Sequence, residues 1–256
     1  MQRVIWLLCC LCGASTGLFG QINESDTLLL QYRAALTGNA QTGNLKALAL
    51  IGRLDISVAP SGRWAFKTQN ASRYQAFFGQ KADNDFLSQN FVYVGQQRVL
   101  YPFAMVFLSG NFRRKIDFRW FAGPGITWQV LRRPGQLIKL SLSGVYESTR
   151  FAGEAYNRPS YNGSRWIDTW RATARIFGQH RLLQQRLRLY YEAYLQPSVE
   201  QSDNFRWLAD WGLEMPVWKG ISFNTHFTYT HENIVVESVK QNDLIFTFGI
   251  AVRNFK

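Results

Sequence analysis

Histidines and regularly placed charges carry most of the chemistry open to this 256-residue chain. His226 and His231 stand an odd number of residues apart. On an extended strand that spacing puts them on opposite faces, so they do not share a metal ion. His180 falls in an expected turn. Thr225, Thr228 and Thr230 surround the later pair, and Ser222 is the one serine within four residues of His226. A hydrolytic triad needs an imidazole between a nucleophile and a carboxylate, and the spacing offers no such set. No phosphate loop, dinucleotide fingerprint or zinc signature is present. The expectation is a protein that is not an enzyme and takes no cofactor or metal.

The charged residues form a clearer pattern. Arg53, Asp55, Arg119, Lys139, Glu147, Arg171, Arg175, Arg188, Glu192, Arg206, Asp210 and Glu214 fall at alternate positions within apolar segments. Arg188 and Glu192 share one face of a strand, with Tyr190 between them. Arg206, Asp210 and Glu214 share a face of the next. Such rows either fill an interior and fix strand register or line a charged constriction that selects solutes. Arginine exceeds acid among them, so an open lumen would favour anions.

The elements that must hold these rows are strands. Leu244, Phe246, Phe248, Ile250 and Val252 alternate with Asp243, Ile245, Thr247, Gly249, Ala251 and Arg253. The pattern recurs in segments of about ten residues, the signature of a transmembrane antiparallel up-and-down β-barrel. Twelve strands are predicted, spanning 27–37, 44–58, 64–72, 85–94, 101–109, 116–131, 137–149, 165–177, 187–196, 205–215, 221–231 and 243–255. Gly38-Asn39 is read as the first turn, and Gly123-Pro124-Gly125 as a break in the sixth strand. Short turns are expected at 59–63, 95–100, 132–136, 178–186 and 216–220. Longer loops are expected at 71–84, 150–164 and 232–242, all on the other side. The apolar rows should face lipid and the polar rows one another. Trp64, Trp120, Trp128, Trp166, Trp207, Trp211, Phe205, Phe223 and Tyr229 near strand ends fit interfacial girdles. A closed barrel also pairs every backbone amide, as lipid requires. The loop at 150–164, with Phe151, Tyr156, Arg158 and Tyr161, is a candidate ligand surface, so a binding scaffold is a further reading.

The N-terminus sets the compartment. One arginine, an apolar run over 4–12 and small residues to Gly20 read as a secretory signal peptide over 1–20, with the barrel over 21–256. Leu18 is large for the position before that cut, so earlier cleavage, after Ala14 or Thr16, stays open. Cys9, Cys10 and Cys12, the chain's three cysteines, lie in this segment. They lack the small residues that precede a lipid-modified cysteine, and the remainder has no disulfide. The composition is 46% hydrophobic and 15% aromatic, yet no later stretch approaches the roughly 20 apolar residues of a membrane helix. A net charge of +12 dispersed along an exported chain points away from nucleic acid. It points toward outer-membrane lipids and lipopolysaccharide phosphates in a Gram-negative envelope. The barrel-assembly machinery is an expected partner, because it reads a terminal strand with an aromatic near its end. Phe255 supplies one, on the Arg253 face unless a bulge near Asn254 turns it. Asn70-Ala71-Ser72 and Asn162-Gly163-Ser164 match glycosylation acceptors, which have no role in a bacterial outer membrane.

Several segments resemble a known family. Leu36-Thr37-Gly38-Asn39 and Thr42-Gly43-Asn44 are similar to the first hairpin of the domain of unknown function 481 family, also described as salt-induced outer-membrane proteins. Residues 118–125, Phe-Arg-Trp-Phe-Ala-Gly-Pro-Gly, resemble its central strand with paired glycines, and Pro124 is a departure from it. Residues 243–249 are similar to its closing strand. The resemblance implies an outer-membrane barrel, a narrow pore or a stress-related envelope factor, and little about mechanism. Asn162-Gly163-Ser164 is also similar to a segment of outer-membrane phospholipases, but no histidine precedes it closely. A lipid hydrolase is therefore the alternative enzyme reading.

Overall fold

A computed structural model describes residues 24–25, 28–43, 46–184, 186–218 and 221–253. The expected leader and Phe255 lie outside them. Twelve antiparallel strands close into a barrel, each paired with its neighbours in sequence and the last with the first. They are β1 (Leu30–Gln41), β2 (Ala47–Ser61), β3 (Trp64–Phe77), β4 (Gln80–Val94), β5 (Leu100–Asn111) and β6 (Ile116–Arg133). The second half comprises β7 (Gln136–Phe151), β8 (Trp166–Leu182), β9 (Leu187–Pro197), β10 (Phe205–Trp218), β11 (Ile221–Glu232) and β12 (Asn242–Arg253).

One rim carries short connections, at 62–63, 95–99, 134–135 and 183–186, and β10 and β11 are separated by two residues on the same side. The opposite rim carries the long connections, at 152–165, 198–204 and 233–241. β1 and β12 pair through Arg33↔Arg253 and Ala34↔Val252 among the described residues. That ladder is far shorter than the β1–β2 ladder, which runs from Leu30↔Val58 to Gln41↔Ala47. The barrel is thus zipped shut near the turn rim.

Alternation explains the outer face. On β3, Ala65, Lys67 and Gln69 are buried, whereas Trp64 and Phe66 are exposed. The same parity exposes Leu142, Trp170, Leu195, Trp211, Phe246 and Ile250. A continuous apolar surface of this kind suits hydrocarbon rather than water. Trp64, Trp128 and Trp218 lie toward the turn rim and Trp166 at the loop rim, all exposed. Trp207 stacks on Tyr229 at 4.7 Å, and Trp120 packs against Tyr146 at 5.8 Å.

Four expectations are corrected. The inward face is not uniformly polar. Phe91, Tyr93, Tyr101, Phe103, Met105, Phe107 and Phe121 are buried in one aromatic cluster with Tyr194. Phe107 lies 4.4 Å from Phe121 and 5.5 Å from Phe91. Alternation locates two faces but does not say which is inside when both are apolar. Gly38-Asn39 is not a turn, because β1 runs through it against Leu50 and Ala49. The loop at 71–84 does not form. β3 continues to Phe77, and Phe78-Gly79, both at positive φ, makes a two-residue hairpin into β4.

The fourth correction concerns Gly123-Pro124-Gly125, over which β6 is unbroken. A Cβ on Gly123 would come within 1.9 Å of the Gly144 carbonyl oxygen, and one on Gly125 within 2.5 Å of the Phe103 ring. The glycines therefore let β7 approach and make room for the aromatic cluster. Pro124 sits opposite Ala104 of β5 without ending the strand.

Candidate functional site in the barrel interior

The twelve charged residues singled out by alternation all project into the barrel, and most are buried. They fall into three groups. Near the loop rim, Glu147 of β7 is held by Arg171 Nε at 3.1 Å, Arg206 Nη2 at 2.5 Å and Arg119 Nε at 3.8 Å. Arg119 also donates twice to Glu232, at 2.8 and 2.9 Å. This pair bridges β6 and β11 across the interior, and Arg114 adds a contact to Glu232 at 3.9 Å. Arg171 donates to the Gln196 and Asn204 carbonyls as well. A bidentate guanidinium–carboxylate pair away from water is strong and geometrically specific.

The second group lies between β1, β2, β9, β10 and β11. Asp55, fully buried, faces Arg33 at 3.6 Å and Arg53 at 3.4 Å. Asp210 accepts from Thr228 Oγ1 at 2.6 Å and lies 3.6 Å from His226 Nε2. The carboxylate thus sits between hydroxyl and imidazole, the wrong order for activating a nucleophile. Arg188 meets Glu214 at 3.7 Å, and Ser222 donates to the same carboxylate. His231 is on the other face, bonded through Nδ1 to Asn242. His180 stacks on Tyr191.

The third group runs from the middle of the barrel, at Arg175 and Glu192, to the turn rim, at Lys139. Arg175 pairs with Glu192, and Lys139 pairs with Glu24 at 2.7 Å. The guanidinium of Arg175 lies within 5.3 to 5.8 Å of the Phe91, Phe177 and Tyr194 rings, so aromatic faces share its charge. Glu24 and Ser25, which precede β1, are buried in this mouth.

A cavity of about 520 Å³ borders these groups, lined by Arg33, Arg53, Arg73, Arg114 and Arg119 and by Asp55, Asp85, Glu192, Asp210, Glu232 and Asp243 among others. Its lining also includes Phe246, Phe248 and Ile250 of β12, which stand on the exposed outer face, so the cavity opens through the wall at the short β1–β12 seam. The loop rim above is partly roofed. Tyr156 bridges to Val236, and Asn157 bonds Asn233 and Val235. Ile116, Phe151, Tyr156, Ile167, Ile234 and Val236 pack into a second apolar cluster there. The connection at 150–164 is therefore knitted to the one at 233–241. Among the described residues no group of His, Cys, Asp and Glu is arranged to hold a metal ion.

Over residues 34–253 the chain matches the family described as "Protein of unknown function, DUF481". It belongs to that family. Curated proteins gave no match. Among solved structures, the NanC porin is 8% identical, with 90% of this chain and 100% of the porin covered and a TM-score of 0.48. The translocator domain of the autotransporter NalP from Neisseria meningitidis is 10% identical, with 98% and 94% covered and a TM-score of 0.46.

This family member also places residues in its interior that the sequence reading did not single out. Lys67 and Arg33 follow the same alternation and were legible by parity. Glu232 lies at the end of β11, where the reading expected a loop. Glu24 and Ser25 precede the first strand, so no periodic signal marks them.

Proposed function

We propose that this chain is an outer-membrane barrel that passes small anions along a narrow, arginine-lined path. The observation that carries the reading is the set of fixed guanidinium groups, Arg33, Arg53, Arg73, Arg114 and Arg119, that border the cavity of about 520 Å³ beside the acids Asp55, Asp85, Glu192, Asp210, Glu232 and Asp243. A barrel of this strand number is wide enough to hold side chains and leave a channel. Guanidinium groups fixed on its wall lower the barrier to anions and raise it to cations. The exposed apolar band and the tryptophans at both rims support a lipid setting. Outer-membrane lipids, lipopolysaccharide and the barrel-assembly machinery are its proposed partners. No hydrolase chemistry is proposed, because the His226–Asp210–Thr228 order does not generate a nucleophile.

The test is current through a planar bilayer holding the refolded full chain under a salt gradient. Discrete steps with a reversal potential on the anion side support the reading. Arg53→Gln with Arg73→Gln should lower the anion preference severalfold. An unchanged anion preference in that double variant would count against it.

A further inference from the structure

The turn-rim mouth holds a short piece of this chain that is bound as a ligand would be bound. Glu24 Oε1 accepts from Lys139 Nζ at 2.7 Å and from Tyr101 Oη at 2.9 Å. Glu24 Oε2 faces Lys67 Nζ at 3.7 Å. The next residue is read just as closely. Ser25 Oγ accepts from Lys139 at 2.9 Å. The Ser25 carbonyl accepts from Gln97 Nε2 at 2.9 Å and Arg132 Nη2 at 3.2 Å. These donors come from β3, β5, β6, β7 and the β4–β5 turn, so half the barrel circumference converges on two residues.

The barrel side of the site is built for an anion. Lys67 is 2% exposed, and its ammonium has no hydrogen-bond partner. Lys67 and Lys139 both stand about 6 Å from the Phe177 ring, and Arg175 adds positive charge from β8. The carboxylates that act on these cations from the barrel wall are Glu192, paired with Arg175, and Asp55. Without Glu24, Lys67 and Lys139 would lose the carboxylate that both contact. Buried unpaired cations are costly, so the site favours an incoming carboxylate whenever Glu24 leaves.

We propose that Lys67, Lys139 and Tyr101 form a binding site for a small free carboxylate, and that Glu24 occupies this site in cis as a displaceable latch. The proposal deepens the pore reading by naming the solute class, and it rests on that reading only for the route by which the solute arrives. A tethered carboxylate competes at an effective concentration on the order of millimolar or above. Displacement by a simple monocarboxylate accordingly needs concentrations on the order of 100 mM.

The experiment reads exposure of the latch and needs no current. The full chain carrying Cys9→Ser, Cys10→Ser and Cys12→Ser receives Ser25→Cys and is refolded in detergent micelles. The rate of maleimide labelling is followed against acetate, with inorganic phosphate in a parallel arm and chloride at matched ionic strength. Glu24 and Ser25 lie outside the strands, so these substitutions leave the barrel pairing intact. The expected result is slow labelling that acetate accelerates saturably and chloride does not. Glu24→Gln removes a charge-assisted bond and should raise the rate without acetate about tenfold. Phosphate as effective as acetate would replace the carboxylate assignment with a general oxyanion site. Labelling insensitive to acetate, equal acceleration by chloride, or a Glu24→Gln rate unchanged from the parent would overturn the proposal. A barrel silent in a bilayer but responsive to acetate would reject the pore reading and leave this site standing.

Discussion

Arg119 shows what a single side chain contributes to this interior. Its guanidinium joins two strands across the barrel through Glu232 and also reaches Glu147. Removing one member of such a pair leaves a buried charge behind, which costs about 3 kcal/mol or more. Arg119→Met should lower unfolding stability by that amount in urea titrations, and adding Glu232→Leu should restore much of it. Glu24 gives the pH prediction. Burial works to raise its pKa, but Lys139, Lys67 and Arg175 outweigh burial and hold the carboxyl below its ordinary range. Tyr101 donates to it from β5, and Glu192 and Asp55 are further acids that act on the cluster. A lowered pKa in the docked state means docking is fully favoured above the ordinary carboxylate value. It weakens as pH falls toward the docked value. Labelling of the thiol introduced by Ser25→Cys should therefore accelerate below pH of about 4, after correction for the reagent's own pH dependence. A rate that falls with pH instead would contradict this sign.

At the scale of elements, β4 to β6 do the least expected work. Much of their inward rows is aromatic, so this part of the interior is packed like a soluble core, while the loop-rim ends of the same strands, with Asp85, Gln89 and Arg119, border the cavity. Phe107 is the centre of that packing, 5% exposed and in contact range of Phe91, Phe121 and Tyr194. Phe107→Ala should cost about 3 kcal/mol, read as a lower urea midpoint. The roof at the loop rim makes a second prediction. Tyr156 pairs with Val236 and donates to the Ser164 carbonyl at 2.9 Å. Tyr156→Ala should free both connections, and protease should then cut within 152–165 or 233–241 faster than in the parent. The strands themselves were legible from period-two patterning, because lipid on one side makes alternation unusually strict. Their ends were less so. Polar Gln75, Asp83 and Asn84 look like loop, yet they pair within β3 and β4 beyond the apolar stretch. There the backbone ladder, rather than side-chain hydropathy, keeps the chain extended. The charged rows on β7 to β10 were readable for the same reason as the strands. The Glu24 latch was not, since its partners come from strands scattered over the whole sequence.

At the scale of the whole molecule, three features meet in one barrel: an apolar outer band, a charged cavity, and closures at both rims. The turn rim is held by Glu24 and Ser25, and the loop rim by the Tyr156–Val236 roof. Passage then requires at least one closure to yield, so openings should be brief in the parent and longer in Glu24→Gln. The most direct test of the central claim is the reversal potential of single-channel current across a planar bilayer under a potassium chloride gradient. The account predicts discrete steps whose reversal lies toward the chloride equilibrium potential, in the parent and in Glu24→Gln. Reversal toward the potassium side, or no current from either protein when both are shown folded by heat-modifiable gel migration, would contradict it.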